Sequence, residues 1–378
     1  MCSDGGLGHA ETWDAAERIV KADAACAKQS VHALRGKPKP VDIIFVIDNS
    51  GSMSDEITEV RRNINNNFAA IIAESGVDYR VIMISQFGPD GTLVCIEPPL
   101  GGALCSQGLP ATNGSRYFHY NQEIGSTDAL CQVLATFHIP DTTGRAPNGW
   151  REWLRPEAAK AFVLITDDSA NCEYREGDTL VQLGGEGADP YQDALAFHRA
   201  LLAKSEAQFG GPGSVKYQFF SLVGMAPKVA AGEPVFPYEP LQPNTCDTAP
   251  SPGLMYQALS VITDALRYPV CEGRSFDAVF HVLARSVIQA SKTDCVFELP
   301  KAPVNQALVL STVNLEYRAG GTADPQRFVQ VVSASECKDD HSFYIGDRIE
   351  LCPSACREIQ NDSAPEVNVL YECMVVPE

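Results

Sequence analysis

The sequence lacks the features of several large classes of protein. Its 378 residues contain no apolar run close to the ~20 residues that a membrane-spanning helix needs. Lysine and arginine number 29 against 48 aspartates and glutamates, a formal net charge of −19, and no basic cluster stands out. Proteins that bind nucleic acid or anionic membranes through charge have the opposite balance. We therefore expect no nucleic-acid partner and no electrostatic contact with a membrane.

Signatures of catalysis are also absent from the sequence. It has no His-Glu-x-x-His motif, no Gly-x-Ser-x-Gly motif and no phosphate-binding Gly-x4-Gly-Lys loop. His119 lies in an aromatic segment that indicates local packing or contact with a partner. His198 lies on a predicted helix without an acid–base partner, and the position of His281 on an apolar helix face predicts a core residue. We therefore expect that the protein is not an enzyme.

Cysteine, by contrast, is abundant, with thirteen residues. The two close cysteine pairs of a typical zinc site do not occur, since Cys352 and Cys356 form the only tight pair. Reducing compartments disfavour such a count unless the thiols bind metal or perform redox chemistry. The sequence therefore favours disulfides over zinc and an extracytoplasmic location.

The odd number of cysteines has a candidate explanation at the first residues. Met1–Gly6 (Met-Cys-Ser-Asp-Gly-Gly) resembles a bacterial lipoprotein cut at its acylated cysteine, with Met1 in place of the signal peptide. This predicts lipidation of Cys2, a lipid anchor as the only contact with a membrane, and a place in the outer membrane or on the cell surface. Setting Cys2 aside leaves 13 − 1 = 12 cysteines, enough for six bridges. The alternative is that Met1 is the natural start and that Cys2 is incidental.

The middle of the chain alternates between strand-like and helix-like segments. Val41–Ile47 is nearly all apolar, which is typical of a parallel strand buried on both faces. The other predicted strands are Tyr79–Phe87, Ala161–Thr166, Val215–Val223 and Arg267–Cys271, and the predicted helices are Ser54–Glu74, Tyr191–Gln208, Leu254–Leu266 and Ser275–Ala290. This alternation predicts an α/β fold with a doubly wound, mostly parallel sheet.

The segments on either side differ from this pattern. Residues 11–34 have the spacing of a helix, so residues 1–40 are predicted to be an N-terminal tether and helix. The α/β domain would cover residues 41–292, with loop insertions at about 89–123 and 226–253. Residues 293–378 contain short strand-like runs, which predict a small β-rich domain. So small a core needs staples, and the candidates are Cys337, Cys352, Cys356 and Cys373.

The most informative motif directly follows the first predicted strand. Asp48, Ser50 and Ser52 alternate along a loop where the strand ends and a helix begins. Ligands of open α/β sheets bind beyond the carboxyl ends of the strands. Hydroxyl and carboxylate oxygens suit Mg²⁺, Mn²⁺ or Ca²⁺. We also expect Gly51 to clear space for the three side chains to converge.

Val41–Met53, which contains this motif, closely resembles the opening of von Willebrand factor A (vWA) and integrin I domains. In that family a threonine of a second loop contacts a metal ion. The resemblance assigns this role to Thr127, with Ser126 as the alternative. The third loop of the family ends a strand with Thr-Asp-Gly, which places Asp167 in the metal-binding position. Asp168 stands where the family has glycine, so it is the alternative carboxylate.

The resemblance implies a metal-ion-dependent adhesion site. A divalent cation, Mg²⁺, Mn²⁺ or Ca²⁺, would keep one coordination position open for an acidic side chain of a protein partner, and the final predicted helix would shift to favour this state. Cys131 and Cys172 would lie near the metal, where a disulfide could brace the loops and a redox role is the alternative. The implied function is cation-dependent adhesion or protein binding at the bacterial cell surface.

Several alternatives remain open at this point. The chain could be an assembly subunit of a cell-envelope complex, or an enzyme-associated module like the vWA domains of chelatases. The latter are cytoplasmic, which the cysteine content disfavours. The site could also have lost its metal and serve stability alone.

Overall fold

The computed structural model describes most of the chain. The described residues are 27–31, 40–102, 114–211, 214–228, 233–271, 280–281, 283–285, 287–288, 295–297, 299, 306–319, 324–337, 341–362, 366–371 and 373–375. The chain divides into two compact units, Pro38–Lys292 and the pair Met1–Lys37 with Thr293–Glu378. No helix within the described ranges is long and apolar enough to cross a membrane.

The first strand of the chain, β1 (Ala27–Val31), belongs to the second unit and is considered with it below. The unit Pro38–Lys292, here called the α/β unit, contains a six-stranded parallel sheet. Its strands are β2 (Val41–Ile47), β3 (Tyr79–Ser85), β4 (Tyr117–Asn121), β5 (Ala159–Ile165), β10 (Tyr217–Val223) and β11 (Arg267–Pro269).

The six strands of the α/β unit lie in the order β11-β10-β5-β2-β3-β4, and every neighbouring pair is parallel. After β2 the chain adds β3 and β4 on one side of that strand, and then β5, β10 and β11 on its other side. The order therefore reverses between β2 and β5, where doubly wound sheets bind their ligands.

Helices cover both faces of this sheet. They are α1 (Ser54–Asn63), which continues through a π-helical turn (Ile64–Phe68) into α2 (Ala69–Glu74), then α3 (Ala129–Thr136), α4 (Pro190–Lys204), α5 (Glu206–Phe209) and α6 (Leu254–Ile262). The described residues between 280 and 288 are also helical. Alternate residues of β2 enter opposite cores: Ile44 packs with one and Phe45 with the other. Both faces of β2 are thus buried, which explains its continuous apolar run.

Short strands outside the main sheet form three two-stranded pairs. An antiparallel hairpin of β6 (Asn171–Glu176) and β7 (Thr179–Gly184) follows β5, and β8 (Gly210–Gly211) pairs with β9 (Ser214–Val215). In the second unit, β13 (Gln306–Leu308) pairs with β19 (Cys373–Val375).

The second unit is built on a seven-stranded mixed sheet in the order β1-β18-β14-β15-β16-β17-β12. The members besides β1 are β12 (Val296–Phe297), β14 (Asn314–Arg318), β15 (Gln326–Gln330), β16 (Ser342–Ile345), β17 (Ile349–Leu351) and β18 (Glu366–Tyr371), and helix α7 (Pro353–Asn361) packs with them. Disulfides join Cys295 to Cys356 and Cys337 to Cys352. The expected staples Cys337, Cys352 and Cys356 are therefore confirmed.

The fold confirms the doubly wound parallel sheet and corrects two expectations. Ala27–Val31, within the segment predicted as a helix, is strand β1, because it pairs along its whole length with β18. The rest of that predicted helix, residues 11–26 and 32–34, lies outside the described residues. Tyr117–Asn121, predicted as part of an irregular insertion, is the edge strand β4. Its flanks are rich in Gly, Pro and Asn, which hid a five-residue strand from the pattern.

Candidate functional site

The first loop of the candidate site, residues 48–53, begins where β2 ends. Asp48 is fully buried, and its backbone N–H donates to the Ile165 carbonyl on β5 (3.0 Å). Its Oδ1 accepts the Ser50 N–H (2.7 Å) and its Oδ2 accepts the Thr166 hydroxyl (2.7 Å). The carboxylate is therefore held in place from both β2 and β5.

The two serines of the first loop lie side by side. The Ser50 and Ser52 hydroxyl oxygens are 3.1 Å apart, and Ser52 is exposed to solvent. A Cβ at Gly51 would meet no atom within 4 Å. Contacts with residues other than its chain neighbours therefore do not require glycine here, and the role of Gly51 in letting the three side chains converge stays a prediction.

The third loop, residues 166–170, follows the neighbouring strand β5. The Asp167 side chain is 2% exposed and forms a hydrogen bond with the Ser52 side chain. Its Oδ1 is buried and has no hydrogen-bond partner among the described residues. The neighbouring carboxylate differs, because Asp168 Oδ1 accepts the Ser169 N–H (2.7 Å) and the residue is half-buried. The two alternatives for this loop thus have different environments.

Burial raises the pKa of both enclosed carboxyls. For Asp48 the negative charge of Asp167 adds to the effect of burial, and for Asp167 the charge of Asp168 does so. Within the described part of the chain, no lysine, arginine or histidine forms an ion pair with either residue. Negative charge is therefore concentrated here without a positive side chain to balance it.

The second loop, residues 122–128, is tied to the other two by backbone hydrogen bonds. Asn49 N–H donates to the Ile124 carbonyl (2.8 Å), and Asn171 N–H donates to the Thr127 carbonyl (2.9 Å). Thr127 and Ser126 are both half-buried. Asp128 closes the loop by accepting the Gly125 N–H (2.8 Å).

A disulfide joins Cys131 on α3 to Cys172 on β6. These residues lie just beyond the second and third loops, so the bridge links the elements that follow them. The expected pairing of the two cysteines is confirmed.

Sequence reasoning missed a fourth segment that supports the site, the support loop (residues 245–253). Ser251 N–H donates to the Asp167 carbonyl (3.4 Å), and the Ser169 and Ser251 hydroxyls are hydrogen-bonded. A disulfide joins Cys246 to Cys271, two residues after the end of β11. Only the cysteine in this Pro-rich stretch had indicated a structural role.

Asn49 was also missed, although it lies inside the motif. Its Nδ2 donates to the Thr92 carbonyl (2.7 Å), and its Oδ1 accepts the Gln86 N–H (2.6 Å). The side chain thereby attaches part of the first insertion to the first loop. One polar residue between Asp48 and Ser50 does not by itself indicate hydrogen bonds to residues about forty positions away, such as Thr92.

Three histidines were considered in the sequence, His119, His198 and His281. His119 is fully buried on β4, which confirms local packing, and His198 Nδ1 contacts the Tyr217 hydroxyl at 2.7 Å. His281 is exposed, so the prediction that it is a core residue was wrong: the apolar face of its helix is formed by its neighbours, among them Phe280.

The donors at the site are mostly hydroxyls. Across the described ranges, no group of three or more His, Cys, Asp or Glu side chains is placed to hold a metal ion. The first and third loops instead bring together two buried carboxylates and hydroxyl-bearing residues, which are oxygen donors of the kind that Mg²⁺ and Ca²⁺ accept. The second loop meets them through backbone hydrogen bonds. The orphaned Asp167 Oδ1 fits an additional positive partner.

Comparison with known proteins gives distant structural similarity alone. A scan of protein-family models and a search of curated proteins find no match to this chain. Among solved structures, the pilus adhesin SpaC from Lactobacillus rhamnosus GG in its open conformation is similar at 15% identity and a TM-score of 0.34, over 90% of this chain and 40% of that one. A von Willebrand factor type A protein from Catenulispora acidiphila is similar at 14% identity and a TM-score of 0.30, over 90% of this chain and 58% of that one. This chain thus spans less than two thirds of either protein. The strand order of the α/β unit is that of a doubly wound parallel sheet, and its vWA character remains what the resemblance of Val41–Met53 implies.

Proposed function

We propose that the protein binds a protein partner through a divalent cation held at the carboxyl edge of the α/β sheet. The observation that carries the proposal is the buried Asp167 Oδ1, which has no hydrogen-bond partner among the described residues and lies in a cluster of like charges with Asp48. Leaving such a charge buried and uncompensated is strongly unfavourable. A cation at this position would supply the missing charge.

The opposite edge of the same sheet shows how this protein treats a buried carboxylate that needs no metal. Asp42, at the start of β2, is also fully buried. It pairs with Arg155 (Nε–Oδ1 2.8 Å) and with the buried Lys160 (Nζ–Oδ2 3.8 Å). The contrast between the two ends of β2 supports an external cation as the partner of Asp48 and Asp167.

The ligands of the proposed cation are Asp48, Ser50, Ser52, Thr127 and Asp167. Hydroxyl and carboxylate oxygens fit Mg²⁺, Mn²⁺ or Ca²⁺. Asp167 is a better candidate than Asp168, whose Oδ1 already accepts a backbone N–H. Ser126, next to Thr127 on the second loop, remains the alternative hydroxyl.

The partner would offer an acidic side chain to this cation. If one of the two aspartates binds only through water, a divalent ion keeps positive charge toward solvent, and the exposure of Ser52 leaves that side accessible. The net charge of −19 opposes an acidic partner, but screening over about 8 Å at physiological salt limits this repulsion. The role would be adhesion or recognition at the bacterial cell surface, with lipidated Cys2 as the anchor to the outer membrane.

The test is a calorimetric titration of the full chain with Mn²⁺, Mg²⁺ and Ca²⁺. We expect the wild type to bind at least one of these cations. Asp48→Ala and Asp167→Asn should bind it at least tenfold more weakly. The matched control Asp168→Asn should bind it with the affinity of the wild type. Circular dichroism checks that each variant is folded. Equal affinity in wild type and Asp48→Ala would move the cation elsewhere, and a loss confined to Asp168→Asn would exchange the roles of the two aspartates.

A further inference from the structure

One buried hydroxyl close to the site has no role so far, that of Tyr256 in the first turn of α6. The residue is fully buried. Among the described residues, no atom forms a hydrogen bond with its hydroxyl group. A buried hydroxyl that loses its bonds to water without replacement is costly, so its surroundings should offer compensation.

The surroundings of Tyr256 are acidic. Burial raises the pKa of its phenol, and the carboxylates of Asp48, Asp128 and Asp168 raise that pKa further. These residues come from the first, second and third loops, and the hydrogen bond from Ser251 N–H to the Asp167 carbonyl ties the segment before α6 to the third loop. The phenol stays protonated and can therefore donate a hydrogen bond.

The start of α6 is fixed against the same loops. Gly253 precedes the helix with φ +64°, and a Cβ there would lie 2.9 Å from Val223 Cβ and 3.2 Å from Tyr256 Cδ2. The preceding Ser251 binds the Asp167 backbone. Tyr256 is thus placed by the backbone of the support loop and by the end of β10.

We propose that Tyr256 is a positioning residue of the cation site, whose hydroxyl donates to one enclosed water molecule that in turn donates to two of the carboxylates of the three loops. Such a water accepts one hydrogen bond and donates two, which is typical of buried waters between polar groups. It would hold the loops at the spacing that the cation requires. The inference rests on the proposed function of the same site.

The chain contains a matched control for this residue. Tyr268 on β11 is also fully buried, and its hydroxyl also has no hydrogen-bond partner among the described residues. Burial alone raises its pKa, with no carboxylate contributing. Comparing Tyr256→Phe with Tyr268→Phe therefore distinguishes two effects. One is the general effect of losing a buried hydroxyl, and the other is the specific effect of losing a hydrogen-bond donor to the three loops of the cation site.

The experiment compares Mn²⁺ binding by the full-length wild type, Tyr256→Phe and Tyr268→Phe. Because groups that orient metal ligands typically contribute 10–100-fold to affinity, we expect Tyr256→Phe to weaken Mn²⁺ binding at least about tenfold. Tyr268→Phe should change it less than about twofold. Equal Mn²⁺ affinity in Tyr256→Phe and wild type overturns this inference alone, whereas a wild type that binds no divalent cation overturns the proposed function with it.

A second measurement does not depend on the variants being folded. A high-resolution crystal structure of the wild type should show a water within about 3 Å of Tyr256 Oη and of a carboxylate oxygen of Asp48, Asp128 or Asp168. A hydroxyl that contacts no water, or that donates directly to a carboxylate, overturns the proposed bridge.

Discussion

At the scale of single residues, His119 shows how burial sets protonation in this protein. Its Nε2 lies 2.9 Å from the Ser85 carbonyl and its Nδ1 lies 3.1 Å from the Tyr117 hydroxyl. The neutral ring satisfies both contacts by donating from Nε2 and accepting at Nδ1. Burial lowers the pKa of His119 to about 4, although the charge of Asp141 opposes this shift. Folding of the α/β unit therefore disfavours protonation of the His119 ring.

This shift in pKa predicts how stability depends on pH. Between pH 6.5 and about 4 the unfolded chain binds a proton at His119 that the folded chain does not. The free energy of unfolding should therefore be fully retained above pH 6.5 and fall by up to about 1.4 kcal/mol per pH unit below it. Urea unfolding followed by tryptophan fluorescence measures this, since Trp150 and Trp153 lie in the α/β unit. The same slope in His119→Gln would show that another group is responsible.

At the scale of elements, the site depends on how closely the support loop approaches the end of β10. Gly224 directly follows that strand. A Cβ on it would lie 2.2 Å from the Ser251 carbonyl oxygen and 2.7 Å from that of Asp167. Both contacts are to backbone atoms, which cannot rotate away. Glycine is therefore required where the support loop packs on the third loop.

We predict that Gly224→Ala separates these two loops. Forcing a methyl group into such a contact typically costs about 1–3 kcal/mol. Since the shift would displace Asp167, affinity for the cation should fall as well. Gly114→Ala is the control, because a Cβ there meets no atom within 4 Å. Thermal melting and Mn²⁺ titration measure the two effects, and unchanged values for Gly224→Ala would contradict the close approach.

At the scale of the whole molecule, four disulfides between described residues follow the division into two units. Cys131–Cys172 and Cys246–Cys271 lie in the α/β unit, whereas Cys295–Cys356 and Cys337–Cys352 lie in the second. Each of these four bridges therefore restrains the unfolded chain of one unit only. The second unit has the smaller apolar core, so its bridges should contribute a larger share of its stability.

We predict that replacing Cys295 and Cys356 together by serine destabilises only the second unit. The bridge closes a loop with a sequence separation of 61, which corresponds to about 4 kcal/mol in the chain-entropy model. Scanning calorimetry should show one transition moving to lower temperature while the Mn²⁺-dependent transition stays in place. The matched control, replacement of Cys246 and Cys271, should move the other transition. If both transitions shift in either variant, the units do not unfold independently.

Local pattern in the sequence was sufficient for the framework of the α/β unit. Val41–Ile47 could be identified because burial on both faces favours a nearly continuous apolar run, and Ser54–Glu74 because one buried stripe demands helical spacing. Asp48, Ser50 and Ser52 could be placed at the end of a strand for the same reason. These features depend on neighbours within a few residues along the chain.

Only the tertiary structure decided which distant segments meet. Ala27–Val31 is a strand because Val367–Tyr371 lies beside it, and no local periodicity encodes that pairing. The unpartnered Asp167 Oδ1, the support loop and the Tyr256 hydroxyl likewise became visible only once several chain segments were packed together. Local periodicity records whether a side chain is buried, but its hydrogen-bond partners are set by contacts between residues far apart in the chain.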